Sequence, residues 1–229
     1  MQNAQPFVSP TMRSTCAGTV AACAIACAAA LALAQTGTTM IAIEKMDIGT
    51  APAQFEFART GQGGPGRWVV VADATASGGR AIEQASTERT DYRFPLAIYN
   101  PVTAKNLDVS VRFKPIAGSV DRAAGIALRL TDPDNYYVVR ANALEDNVRF
   151  YRVVKGSREQ IEGANTKVSA NEWHTLSLKA EGERFTVTFD GKQLYTATDR
   201  TFAAAGRIAL WTKADSVTRF DRVEINTLP

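Results

Sequence analysis

The chain is poor in reactive side chains. Its three cysteines, Cys16, Cys23 and Cys27, crowd near the N-terminus, so the rest of the sequence offers neither a disulfide nor a cysteine-ligated zinc site. A domain built from that remainder must hold together by core burial alone. His174 is the only histidine, so a Ser-His-Asp triad would have to hinge on it, and a multi-histidine zinc site cannot be assembled. Charge of one sign is also scarce. A formal net charge of +3 on 229 residues, without a basic stripe, argues against a dedicated nucleic-acid binder. Gly61-Gln62-Gly63-Gly64-Pro65-Gly66 is rich in glycine but lacks the Gly-Lys-Ser/Thr ending and the following helix of a phosphate loop, and reads as a turn. Past the N-terminal segment nothing sustains a 3.6-residue apolar period, and no internal repeat has propeller or solenoid spacing.

What is present begins with an export signature. Met12-Arg13 precedes an Ala-rich apolar run over residues 17–34 that ends in Ala32-Leu33-Ala34. A positive start, a short apolar stretch and an A-x-A end describe a signal peptide over residues 1–34, with Met12 as a possible true start. A membrane anchor and lipidation at Cys23, after Val20-Ala21-Ala22, are the alternatives. The expected protein is periplasmic or secreted, with no membrane span after cleavage. Residues 35–52 read as a linker or first edge strand, and residues 53–229 as one domain, enough for a single sizeable core.

The domain reads as strands throughout. Leu107, Val109, Val111 and Phe113 alternate with Asp108, Ser110, Arg112 and Lys114, and Phe185, Val187 and Phe189 alternate with Thr186 and Thr188. Pro115 has no amide to donate and is expected to end its strand. Asp190-Gly191 is a type I′ hairpin signal, since both central residues need φ > 0. Residues 125–154 read as three consecutive strands joined by turns at Asp132-Pro133-Asp134-Asn135 and Leu144-Glu145-Asp146-Asn147. The polar stretch 160–171 reads as an irregular connection. About a dozen short strands predict an all-β sandwich or barrel.

The closing run from Gly206 to Ile225, with Arg-Ile-Ala-Leu-Trp and later Phe-Asp-Arg-Val-Glu-Ile, resembles the last two strands of concanavalin A-like and laminin-G-like jelly rolls. Asn171-Glu-Trp-His-Thr-Leu and the run Phe185 to Lys192 are similar to that group at the matching places. Within it the chain looks like the 3-keto-disaccharide hydrolase domain family, near family 16 glycoside hydrolases. The resemblance spans roughly residues 53–227 and implies a jelly-roll sandwich of two antiparallel sheets and a carbohydrate as partner. Where better-known members of that family place a carboxylate after Gly-Tyr, this chain has tyrosine or valine, although Arg129 matches their strand arginine.

Glycoside hydrolysis normally requires two facing carboxyl groups, about 5 Å or about 6.5–9.5 Å apart. The candidates are Asp121, Asp132, Asp134, Glu145, Asp146, Asp215 and Asp221. Glu145 and Asp146, the catalytic candidates, adjoin in a turn where neighbouring side chains tend to diverge, so they make a poor facing pair, and the family 16 E-x-D-x-x-E spacing is absent. A base and a donor could suffice for a 3-keto-glycoside hydrolase or lyase. Sugar binding needs flat faces, which Tyr136, Tyr151 and Trp211 could supply, and polar donors, which Arg129, Arg140, Asn142 and Lys213 could supply on a concave sheet. The same aromatics could instead fill the core, with the arginines paired to Glu145, Asp146 or Asp215. Asp132, Asp134 and Asn135 offer hard oxygens for a structural calcium, though turn residues need no metal. Beside a glycan-binding domain and the hydrolase stands a laminin-G-like adhesion module as a third reading.

Overall fold

The computed structural model describes residues 36–229; the expected signal segment, with Met12 and the three cysteines, lies outside the described residues. Among the described residues no helix is long and apolar enough to cross a membrane. The period-2 alternation becomes two antiparallel sheets. One has the order β13 (Lys192–Thr198), β12 (Arg184–Phe189), β11 (His174–Glu181), β6 (Leu107–Ala117), β15 (Val217–Thr227), β4 (Arg80–Gln84), β3 (Trp68–Ala72), with β1 (Gly37–Met40) also on β15. The other runs β10 (Ser157–Asn165), β9 (Asn147–Val154), β8 (Asn135–Asn142), β7 (Ala123–Asp132), β14 (Gly206–Trp211), β5 (Arg93–Ala104), β2 (Phe55–Gly61). The jelly-roll sandwich expected from sequence is the fold.

The inner faces meet in one core. Leu107, Val109, Val111 and Phe113 of β6 pack with Ile126, Leu128, Tyr137, Val139 and Phe150 of the opposite sheet, all buried. Each such side chain contributes about 1.5–3 kcal/mol on leaving water. The seven-stranded sheet also buries part of its outer face. Phe94, Leu96, Ala127, Tyr136, Val138, Tyr151 and Trp211 form a second apolar cluster there, with Phe94 stacked on Trp211 at 5.3 Å. Buried Arg93 ties three segments together by donating to Gly64 O, Ala214 O and Ser86 Oγ.

Residues 37–40 take the strand alternative of the sequence reading: β1 pairs with the end of β15. Two local differences from that reading have physical causes. Pro115 does not end β6, because β11 stops pairing at Phe113, so no amide is needed on that side, and Pro115 O accepts from Asn171 N. Residues 157–165 form β10 on the sheet edge. The Asp190-Gly191 turn has φ of 47° and 76°, as a type I′ hairpin requires.

A bulge in β7 breaks the register between Leu128 and Asp132, and Arg129 sits there with φ of 50°. Strand β14 closes tightly on it, since a Cβ on Gly206 would lie 2.4 Å from the Arg129 carbonyl carbon. Gly206→Ala is therefore expected to destabilise the domain by about 2–4 kcal/mol, because backbone cannot move aside as a side chain can. A lowered thermal midpoint would register this; an unchanged one would mean the two strands are not so closely packed.

Candidate functional site

The outer face of the seven-stranded sheet ends, beside the β8–β9 turn, in a polar network. Arg140 is 5% exposed and reaches it from β8. Its guanidinium donates to Asn147 Oδ1 at 2.5 Å, Glu145 Oε2 at 2.8 Å and Tyr151 Oη at 3.2 Å. Asn147 and Tyr151 stand on the neighbouring β9 and Glu145 in the turn, so the hairpin itself assembles this group. Asn142 braces the turn: its Oδ1 accepts from Leu144 N and Glu145 N, and its Nδ2 donates to Asp121 Oδ1. Lys213 then bridges Asp121 at 3.1 Å and the rim residue Asp91 at 2.8 Å.

Charge and exposure differ sharply within the group. Glu145 leaves 48% of its side chain in solvent and Asp91 74%, against 6% for Arg140 and 15% for Lys213. Burial would raise the Glu145 carboxyl, but the Arg140 guanidinium, Asn147 and Lys213 hold it below its usual range. Burial dominates at Asp121 and pushes its carboxyl up despite Lys213. Burial alone would lower Lys213, yet its two carboxylate partners keep it raised and charged. Asp215 fixes the loop that carries Asp121. Its carboxylate accepts from the backbone N–H of Ser119, Val120 and Asp121, which outweigh burial and keep it low.

Tyr151 joins this network to an aromatic layer. The Arg158 guanidinium, from β10, lies 4.4 Å from the Tyr151 ring centroid and 4.8 Å from that of Phe94, and the Arg140 guanidinium lies 5.8 Å from Tyr151. Such contacts contribute about 0.5–2 kcal/mol each. Arg158 Nη1 is buried without a hydrogen-bond partner, and the ring faces stand where an acceptor would. The network thus offers donors and acceptors in fixed positions around one tyrosine, an arrangement suited to several adjacent hydroxyl groups.

The sequence-derived site is only partly assembled. Arg140, Asn142, Tyr151, Lys213 and Glu145 come together. Tyr136 and Trp211 lie under the same face but are fully buried, Tyr136 Oη bonding Thr60 and Trp211; they fill core and offer no flat face. Arg129 is elsewhere. The bulge turns its side chain toward the inner core, where it donates to Lys105 O, Phe202 O and Gly182 O and lies 5.2 Å from the Phe185 ring centroid. Glu145 and Asp146 diverge: Asp146 binds Lys167 and Val168 N, so the two do not form a facing pair. Asp132 accepts from Asp134 N and Asn135 Nδ2, while Asn135 Oδ1 accepts from Lys155 N. Both Asp132 oxygens and the Asn135 side-chain oxygen thus serve N–H donors of the turn. His174 joins Asp190 at 2.7 Å and the backbone of Ser169, which pins a hairpin and forms no triad.

Arg158, Asp91, Asn147 and Phe94 were not singled out from the sequence. For Arg158 one signal was available. Lys155-Gly156, with φ of 49° and 76°, is a hairpin turn after a strand, and it sets Arg158 opposite Val153.

Comparison with known proteins agrees with a sugar-related fold. A family model described as the C-terminal lectin domain of galactocerebrosidase matches residues 104–228, more than half of the chain. The levanase of Bacillus subtilis (strain 168) is 30% identical over 84 residues, which are 36% of this chain and 12% of the levanase; the match spans a small part of that enzyme's length. Among solved structures, the carbohydrate-binding module CBM66 from Bacillus subtilis superposes with a TM-score of 0.58 at 19% identity, over 71% of this chain and 92% of the module. Domain 4 of the extracellular arabinanase AbnA from Geobacillus stearothermophilus, in complex with arabinotriose, gives 0.54 at 13%, over 84% and 93%. The Bacillus licheniformis β-glucanase gives 0.55 at 12%, over 84% and 99%. The jelly roll is thus shared with sugar-cleaving and sugar-binding proteins alike. The likeness to 3-keto-disaccharide hydrolases rests on the sequence motifs at residues 171–176, 185–192 and 206–225.

Proposed function

The chain belongs to the galactocerebrosidase C-terminal lectin domain family, and from that premise we propose that it is an exported glycan-binding domain whose seven-stranded sheet is the concave, sugar-facing one. The observation that carries this reading is the Arg140–Glu145–Tyr151 group. A buried guanidinium holds a half-exposed carboxylate beside a tyrosine, so a donor and an acceptor meet a sugar's neighbouring hydroxyls at one place. Lys213, Asp121 and Asp91 extend that pattern along the rim, and Arg158 tops the aromatic layer next to it. With carboxylates more exposed than cations, the site suits a neutral sugar better than an acidic one.

Calorimetric titration of the domain with fructan, arabinan and galactoside oligosaccharides tests this. Saturable heat with at least one of them, in the millimolar to micromolar range of about −4 to −8 kcal/mol, is expected. A folded protein that gives no saturable heat with any of the three would refute a lectin role on these ligands.

A further inference from the structure

A cavity lies apart from that network, beside β15 of the eight-stranded sheet. Two short strands share this edge: β4 pairs with Thr218 to Phe220, and β1 with Glu224 to Thr227. Between them β15 bulges, Arg222 takes φ of 46°, and a notch of about 290 Å³ is left open. Met40, Ile41 and Ile43 form an apolar wall, of which Ile41 and Ile43 are buried and Met40 is half-exposed.

The opposite wall carries an incomplete carboxylate. Asp221 is 2% exposed, and its Oδ2 accepts from Ser77 N at 2.6 Å and Arg112 Nη1 at 2.9 Å. Its Oδ1 has no hydrogen-bond partner. A buried acceptor left unmatched costs about 1–3 kcal/mol, more when charged, so a donor brought to this wall would be strongly favoured. Arg222 and Arg80 line the same notch, and neither belongs to the ion pairs found among the described residues. Glu44 lies with them. Two guanidinium groups and two carboxylates line the notch, so its charges balance and a neutral polar ligand needs no counter-ion. The volume sits at the lower end of ordinary ligand sites, about 300–1,000 Å³.

We propose that this notch is a second binding site, for one neutral sugar ring or a polyol of that size. The ring's C–H face lies on Ile41, Ile43 and Met40, one hydroxyl donates to Asp221 Oδ1, and a neighbouring hydroxyl accepts from Arg222. The inference uses a different sheet from the Arg140 network and stands independently of it.

Amide NMR on the full chain, titrated separately with D-fructose, D-galactose and L-arabinose, tests it. At least one sugar is expected to shift the amides of Ser77, Gly78 and Arg222 saturably, in wild type and in Arg140→Ala alike. Arg222→Gly removes the donor at a position where glycine is conformationally favoured, so the fold should persist while apparent affinity at these amides drops about tenfold. Asp221→Asn should weaken it as well. Silence at Ser77, Gly78 and Arg222 with all three sugars, or shifts that Arg222→Gly leaves unchanged, would overturn the proposal. Shifts at the notch with silence around Tyr151 would support it and show that these monosaccharides do not occupy the first site.

Discussion

Replacing Arg140 with alanine is expected to reduce saccharide affinity about 30- to 100-fold while leaving a cooperatively folded domain. The guanidinium satisfies three acceptors at once, on Asn147, Glu145 and Tyr151. Without it Glu145 keeps only the Asn147 Nδ2 donor at 3.1 Å, and the fixed geometry that a sugar would meet is loosened. Hydrogen bonds to charged groups are worth about 1.5–3 kcal/mol each, which sets the range. Lysine should not rescue binding, because a single ammonium cannot span the acceptors that a planar fork reaches. Calorimetry, with circular dichroism as the control on folding, reads both quantities. Wild-type affinity in Arg140→Ala would remove this residue from the site.

The second large effect falls on stability. Arg129 is 1% exposed, forms none of the ion pairs found among the described residues, and ties together three backbone carbonyls from three segments, at Lys105, Gly182 and Phe202. Arg129→Ala strands those carbonyls and opens space beside Phe185. A loss of about 2–4 kcal/mol is expected, read as a lower denaturant midpoint, with saccharide affinity unchanged wherever the protein remains folded. A stable Arg129→Ala protein that had lost binding would return this arginine to the ligand face. Arg129 and Arg140 thus carry opposite expectations, although both lie on adjacent strands of one sheet.

That contrast marks how far the sequence could be read. Alternation placed Leu107 to Phe113 and Phe185, Val187 and Phe189 on the inner face correctly, because one face of their sheet is solvated and the period is therefore clean. The strands carrying the site are harder to read. Both faces of β7 and β8 are buried, so period-2 logic no longer separates ligand face from core, and Tyr136 and Trp211 were open to either reading. A single bulge inverted Arg129, since one extra residue exchanges the faces of all that follows. Nothing local announces that bulge; its counterpart is Gly206, far along the chain, whose missing Cβ lets β14 close on it. Arg158 was hidden for a different reason. Its strand is polar and on an edge, held by pairing with β9, and only the Lys155-Gly156 turn hinted at it. Glu145, Arg140 and Tyr151, by contrast, belong to one hairpin, and local spacing was enough to bring them together.

The most direct test of the central claim is a crystal structure of the domain with whichever oligosaccharide binds best in titration. The account predicts a sugar ring beside Tyr151, with hydroxyls bonded to Glu145 and Arg140 and the chain leading out past Asp91 and Lys213. An oligosaccharide lying only on the polar outer face of the eight-stranded sheet, with the Arg140 network untouched, would contradict it.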